Sequence, residues 1–356
     1  MSKEFEGEIR IGISIGEVNG VGPEVILKTF ADTRMLQTCT PVIYGSAKTL
    51  SFHRKALNIP EFNYNTIRSI KDIIPHKVNL LNCWDEEIKI EIGVASKHTG
   101  IYAFKALEAA TADLAGGYIH ALVTAPIDKH TIQSENNNFL GHTEYLANAF
   151  KTTDYLMFLV SGDLRVALVT GHVPLSKVAG LISKESILMK LKVMHASLKR
   201  DFGIRKPRIA VLGLNPHAGD SGVIGNEDLE IIIPAIKDAN AAGILAYGPY
   251  SADGIFGAGG YRKFDAILAM YHDQGLIPFK TLAFETGVNF TAGLPFIRTS
   301  PDHGTAYDIA GKGIASENSF REAVYLACDI YRKRSEFDGI TANPLAFSKL
   351  RPPEVQ

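Results

Sequence analysis

Cysteine and tryptophan are scarce: three Cys (Cys39, Cys83 and Cys328) and one Trp occur in 356 residues. Three thiols, far apart and odd in number, exclude a disulfide framework and suit reduced side chains in a cytoplasmic protein. Long hydrophobic runs are also missing, so no stretch of the sequence suffices to cross a bilayer. The opening MSKEFEGEIR lacks the apolar core of a secretory signal. Neither sign of charge prevails, with Lys plus Arg at 37, Asp plus Glu at 38 and a pI near 6.8. No basic field would draw this chain to nucleic acid or to an anionic membrane surface. Internal repeats and low-complexity tracts are absent. A cytoplasmic protein with a small-molecule partner is the expectation.

What is there is a core former. Hydrophobic residues make up 46% and charged residues 21%, enough for roughly two domains. IRIGISIG reads as a strand running into EVNGVGPEVILKTF, where Gly20 and Gly22 loosen the turn and Pro23 with Glu24 suits the first turn of a helix. CTPVIYGS is a second strand. Residues 100 to 117 carry Ile101, Phe104, Leu107 and Leu114 at helical spacing. YIHALVTAP returns as a strand, a helix begins near His142, and YLMFLVSGDLRVALVT reads as two strands joined by a Ser-Gly-Asp turn. LISKESILMKLKVMHASLKRDFG is a long amphipathic helix. RIAVLGLN, DLEIIIPAIKDANAAG and DAILAMY follow as strand, helix and strand, and the C-terminal part from Ala306 is largely helical. Such alternation predicts an α/β sheet with helices on both faces.

Three expected strands end in histidine: RVALVTGH at His172, RIAVLGLNPH at His217 and DAILAMYH at His272. In open α/β sheets ligands collect beyond the carboxyl ends of strands. Three imidazoles there could hold a divalent metal with one position left for substrate; spaced this far apart, they also read as ordinary hydrogen-bonding loop residues. Asp253, in PYSADGIFG, and Asp273, next to His272, could each orient an imidazole or act as a base. Lys280, Asn289 and Arg298 stand in the largely apolar LIPFKTLAFETGVNFTAGLPFIRTS. Cations and an amide in such surroundings suit a phosphate or carboxylate, which Arg can engage bidentately. In DHGTAYDIAGKGIAS, residues 302 to 316, His303-Gly304-Thr305-Ala306 forms a tight polar turn, Asp308 can cap a helix start, and Gly311 and Gly313 let backbone N–H groups approach a ligand.

This last segment resembles the nucleotide-binding loop of the isocitrate and isopropylmalate dehydrogenase superfamily, HGSAPDIAGKGIANP, with Tyr307 in the place of its proline. GHTE, TGHVPL, LNPHAGDSG, YHDQGLIPFK, GVNFTAGLPFIRTSPDHGTA and GEVNGVGPE, in this order of chemistry, are together similar to the 4-hydroxythreonine-4-phosphate dehydrogenase family, from about Ile11 to about Asp329. The resemblance implies two α/β/α domains with a cleft between them: residues 1–132 plus 305–356, and residues 133–304 carrying the dimer contact and the metal ligands. It implies His172, His217 and His272 as metal ligands and His142, Thr143, Lys280, Asn289 and Arg298 as substrate contacts, in a homodimer whose metal sites draw ligands from both subunits. His303, Gly304, Thr305, Asp308 and Gly311 would meet NAD or NADP. Imidazoles favour zinc, with magnesium, cobalt and manganese open. The implied reaction is oxidation of 4-phosphooxy-L-threonine and decarboxylation to 3-amino-1-hydroxyacetone phosphate, in pyridoxal phosphate biosynthesis, with Asp253 or Asp273 as base.

Two loops depart from the family's pattern: Glu17-Val18 stands for Asp-Pro in GEVNGVGPE, and TAPIDK, with Ala125 and Asp128, stands for TGPINK. These leave room for a phosphorylated hydroxy acid without the amine. A metal-dependent phosphosugar lyase of the class II aldolase kind would use the same histidines and phosphate pocket without a nicotinamide. Phosphate acyl transfer on a related fold would need no histidine triad.

Overall fold

The computed structural model describes residues 8–133 and 139–344. Twelve strands form one sheet: β1 (Arg10–Ser14), β2 (Thr40–Gly45), β3 (Asn65–Ile67), β4 (Asn79–Asn82), β5 (Ala121–Thr124), β6 (Leu156–Ser161), β7 (Leu164–Leu168), β8 (Arg208–Leu212), β9 (Leu245–Tyr250), β10 (Ala266–Ala269), β11 (Val288–Ala292) and β12 (Ile297–Pro301). Their order in space is β3-β4-β2-β1-β5-β12-β11-β6-β7-β10-β8-β9. Eleven α-helices accompany them among the described residues: α1 (Gly22–Ala31), α2 (Ala47–Ala56), α3 (Lys97–Ala115), α4 (Lys129–Ile132), α5 (His142–Ala149), α6 (Leu175–Leu181), α7 (Lys184–Arg200), α8 (Ile233–Ala241), α9 (Ala252–Gly257), α10 (His272–Ala283) and α11 (Asn318–Thr341).

The expected α/β architecture holds, and burial explains it. β2, β5 and β10 are buried along their whole length, as parallel strands covered on both faces must be, so they read as continuous apolar runs. Pairing is parallel within the two flanking groups, while β12/β11, β11/β6 and β6/β7 are antiparallel. The direction of the sheet therefore changes across β11, β6 and β7, in the middle of the molecule. β9 was not expected from the sequence, because Gly248-Pro249 interrupts it. It lies at the sheet edge, where a missing N–H breaks no ladder.

Two further expectations need correction. The strand DAILAMYH does not reach His272: β10 stops at Ala269, Tyr271 is extended, and His272 opens α10. Lys280 is thus two turns along the same helix. The helix lies close against the sheet because residue 275 is glycine; a Cβ there would come within 2.8 Å of Leu168 Cδ2 and 3.0 Å of Val166 Cγ1. Nor does Asp308 cap a helix, since residues 307–313 form turns and α11 starts at Asn318.

One buried group ties stability to pH. His53 on α2 is 1% exposed and its Nε2 finds no partner among the described residues. Burial pulls its pKa from 6.5 to about 4. The unfolded chain therefore takes up a proton that the folded ring refuses, and stability present above the unfolded pKa is lost as pH falls toward the folded one. From this group alone, denaturant unfolding should give a loss of about 2 kcal/mol between about pH 6.5 and pH 5, and His53→Gln should flatten that slope.

Candidate active site

The chain leaves strand ends at β5, β7, β10 and β12, and the residues that follow meet over the bodies of β6, β11 and β12. Thr124 to Ile127, His172, His272 and Pro301 to Gly304 come from those ends; Met157, Leu159, Asn289 and Arg298 come from the strands. With Lys129, His142 and Lys280 they line a cavity of about 320 Å³. A second hollow of about 400 Å³ shares Lys129, His142, His172, Asn289 and Arg298 and adds Thr143 and Glu144.

Arg298 is the deepest charge. It is 4% exposed and its guanidinium donates only to hydroxyls, Nη2 to Thr124 Oγ1 at 2.8 Å and Nη1 to Thr291 Oγ1 at 3.4 Å. No carboxylate lies within ion-pair distance of it among the described residues, and burial pulls its pKa down to about 10. His142, at the first position of α5, is held neutral by burial and then by the charges of Arg298 and Lys129. His142 Nε2, His303 Nε2 and Asn289 Oδ1 are buried without a hydrogen-bond partner among the described residues. Buried polar atoms are rarely left so. Three in one cavity, beside a cation that meets only hydroxyls, describe a receptor for an anionic, hydrogen-bonding molecule.

Of the three strand-end histidines, two come together. The rings of His172 and His272 have centroids 5.5 Å apart. Burial, then Lys129 and His272, lower the pKa of His172, so its nitrogen lone pair is available. His272 Nδ1 lies 2.8 Å from Asp273 Oδ1, an arrangement that leaves Nε2 as the donor atom toward a metal. His217 lines neither hollow. It starts a run in left-handed backbone, with φ 53° at His217, 53° at Ala218, 79° at Gly219, 41° at Asp220 and 55° at Ser221. Buried Asp228 anchors the segment leading into it by accepting from Leu214 N at 2.9 Å and Asn215 N at 3.1 Å. Among the described residues of one chain no group of three metal-binding side chains forms.

The carboxylates differ from expectation. Asp253 is fully exposed on α9, bonded to Ser251 and electrostatically next to His217. Asp273 supports His272 from outside the cavity, with its side chain 71% exposed. Asp302 was not singled out in the sequence, yet it lines the cavity; burial raises its pKa against the pull of Lys280 Nζ, 3.4 Å from Oδ2. Lys129 was also missed. Both stand inside quoted segments, Lys129 ending TAPIDK and Asp302 opening DHGTA, but an isolated lysine or aspartate at a strand end carries no spacing signal.

The 302–316 segment divides. His303 and Gly304 line the cavity. Thr305, Asp308 and Gly311 do not: Thr305 O accepts from Val21 N at 2.9 Å, Asp308 is exposed, and Gly311, at φ +72°, would clash with Ile92 if it carried a Cβ. Glu24 and Lys28 of α1 hold the far end through Ala315 N and the carbonyls of Gly313 and Ala315.

Known proteins are similar to this chain in sequence and fold. A 4-hydroxythreonine-4-phosphate dehydrogenase of Bacteroides thetaiotaomicron is 54% identical over 344 residues, 96% of this chain and 93% of that one. A relative from Oceanobacillus iheyensis, provisionally named a D-threonate 4-phosphate dehydrogenase, is 39% identical over 324 residues, 90% of this chain and 97% of that one. The crystal structure of 4-hydroxythreonine-4-phosphate dehydrogenase from Klebsiella pneumoniae superposes with a TM-score of 0.79 at 35% identity, covering 91% of this chain and all of that one. The family model for the pyridoxal phosphate biosynthetic protein PdxA matches residues 37–327, and the chain belongs to that family.

Proposed function

We propose that the protein oxidises 4-phosphooxy-L-threonine at its secondary alcohol with NAD or NADP, giving 2-amino-3-oxo-4-phosphooxybutanoate, which loses CO2 to leave 3-amino-1-hydroxyacetone phosphate. The observation that carries this reading is the cavity in which Arg298, without an ion-paired carboxylate among the described residues, stands with the unpartnered polar atoms of His142, Asn289 and His303. Family membership narrows the ligand to a phosphorylated hydroxy acid.

The donor set fits a divalent metal: two imidazoles have ring centroids 5.5 Å apart, and one is backed by a carboxylate. His172 and His272 would hold it together with His217 of the partner subunit, zinc being favoured by nitrogen ligands. When bound, the ion supplies Lewis acidity and the nicotinamide a hydride acceptor. This chain does the rest. Arg298 and Lys280 bind the anionic ends of the substrate, His142, Thr143 and Asn289 fix its orientation by hydrogen bonds, and burial of the guanidinium strengthens its hold on an anion. Asp302 is the carboxylate placed on the cavity wall to hold the hydroxyl proton, with Lys280 beside it. In the β-keto acid that results, the bond to the carboxylate breaks and its electrons pass to the ketone as CO2 departs. His303 and Gly304 bring the cofactor segment to the cavity's edge.

Large apolar side chains left exposed suit a homodimer: Val223 is 80%, Phe284 72% and Ile277 63% exposed, on the same helix as His272 or just beyond the His217 turn. Such surface near the site is compatible with an interface there. No described helix is long and apolar enough to cross a membrane.

A second reading keeps the chemistry but drops the substrate's amine. One feature favours it: Asp302, the single carboxylate lining the main cavity among the described residues, is already engaged by Lys280. A screen of phosphorylated four-carbon hydroxy acids, with and without the 2-amine, against both nicotinamides at 340 nm decides. 4-Phosphooxy-L-threonine is expected to show kcat/KM at least about tenfold above 4-phospho-threonate and 4-phospho-erythronate. The reverse order would install the second reading, and no reduction with any of them would overturn both.

A further inference from the structure

We propose that Lys129 is a substrate-binding residue, the cation that shares the phosphate group with Arg298, and that a hydrogen bond from Tyr307 to Asp128 positions it. The inference deepens the function proposed above and rests on it.

Lys129 opens α4, separated by four residues from the end of β5, and lines both hollows of the site. Its Nζ lies 3.6 Å from where a Cβ on Gly141 would stand, one residue before His142. It makes no hydrogen bond or ion pair through Nζ among the described residues. The other two cations differ. Lys280 is paired with Asp302, and Arg298 is buried against hydroxyls alone. A phosphate monoester carries close to two negative charges near neutral pH. Arg298 can balance one, and Lys280 divides its charge between Asp302 and the substrate, so a further cation completes the balance. His142 reports where it is: the same imidazole feels the charges of Arg298 and of Lys129. Its unpartnered, buried Nε2 is a hydrogen-bonding group beside both positive charges, and Glu144, whose charge also reaches Arg298, is the carboxylate nearby.

Lys129 is held from behind. Asp128 Oδ1 accepts from His130 N at 2.9 Å and Oδ2 from Tyr307 OH at 3.2 Å, so the neighbouring carboxylate is committed and does not pair with the lysine. The Asp128 carbonyl accepts from Thr131 Oγ1 at 2.9 Å, and the same hydroxyl donates to buried Glu17 Oε2 at 3.0 Å. The two loops that stand out in the sequence, GEVNG and TAPIDK, therefore meet the cofactor segment at one point, directly behind Lys129.

The test titrates inorganic phosphate into the metal-loaded dimer by calorimetry and measures KM and kcat for the phosphorylated substrate. Lys129→Met is expected to raise both the phosphate Kd and KM by about tenfold or more with kcat within about threefold, and Lys129→Arg to restore most of the loss. Tyr307→Phe, which removes only the hydroxyl, should raise KM by about threefold and leave the fold intact by circular dichroism. A Lys129→Met protein whose phosphate Kd and KM stay within about twofold of wild type overturns the proposal. If Lys129→Met does not fold, Tyr307→Phe with unchanged phosphate Kd and KM overturns it instead. Should the wild type reduce no nicotinamide with any substrate, the functional reading fails, while the phosphate titration still decides the role of Lys129.

Discussion

Replacing Arg298 with methionine is expected to stabilise the ligand-free protein and to lower kcat/KM for the phosphorylated substrate by about a thousandfold. The two effects share one cause. The guanidinium is taken out of water at 4% exposure and is met by Thr124 and Thr291 hydroxyls rather than by a carboxylate. A buried charge without a counter-ion raises the free energy of the folded state, and an apolar side chain of similar length relieves it. Denaturant midpoints should rise by an amount equivalent to about 1 to 2 kcal/mol. The same methionine has nothing to offer an anion. Losing one charge-assisted, desolvated contact costs about 3 to 5 kcal/mol of binding and transition-state stabilisation. A variant that is both less active and less stable would show that Arg298 serves the fold and not the ligand.

The second large effect concerns His272 and His217. Each changed singly to alanine should abolish turnover and stoichiometric metal binding, the latter read by elemental analysis of the purified protein. Co-expressing the two variants should then recover activity. In a mixed dimer one site receives both defects, while the other combines an intact His172–His272 pair with an intact His217. Random pairing makes half the dimers mixed, each with one sound site, so about a quarter of wild-type activity is expected. The expectation rests on the proposed shared site, together with His172 and His272 sharing a cavity in one chain that His217 does not line. Mixtures as inactive as the single variants would sink the shared site, and a His217→Ala protein that keeps its metal would remove His217 from the ligand set.

How much of this was legible in the sequence depended on whether a signal was local. β1, β2, β5 to β8 and β10 announced themselves as apolar runs because they are buried on both faces, and α7 through its single apolar stripe. β9 was hidden by Pro249, which only an edge position excuses. The turn into α10 was misread since Gly and Gln near a strand end look like a loop, and only the closeness of α10 to β7 and β10 shows why residue 275 is glycine. Arg298, Asn289 and Lys280 were found as polar residues in apolar sequence. Asp302 and Lys129 were not, because their importance comes from what folds against them. Asp253 was given weight that its exposed place on α9 does not support within one chain.

The run of strands from β3 to β9 has no break, and the substrate cavity rests on its middle members. Cutting the polypeptide near residue 132 to obtain a minimal binding module would part β5 from β12 and leave each piece with an exposed ladder of unpaired amides and carbonyls. Such fragments are expected to add strands to one another and precipitate. Anyone wishing to shrink or graft this catalyst must keep the two halves in a single piece.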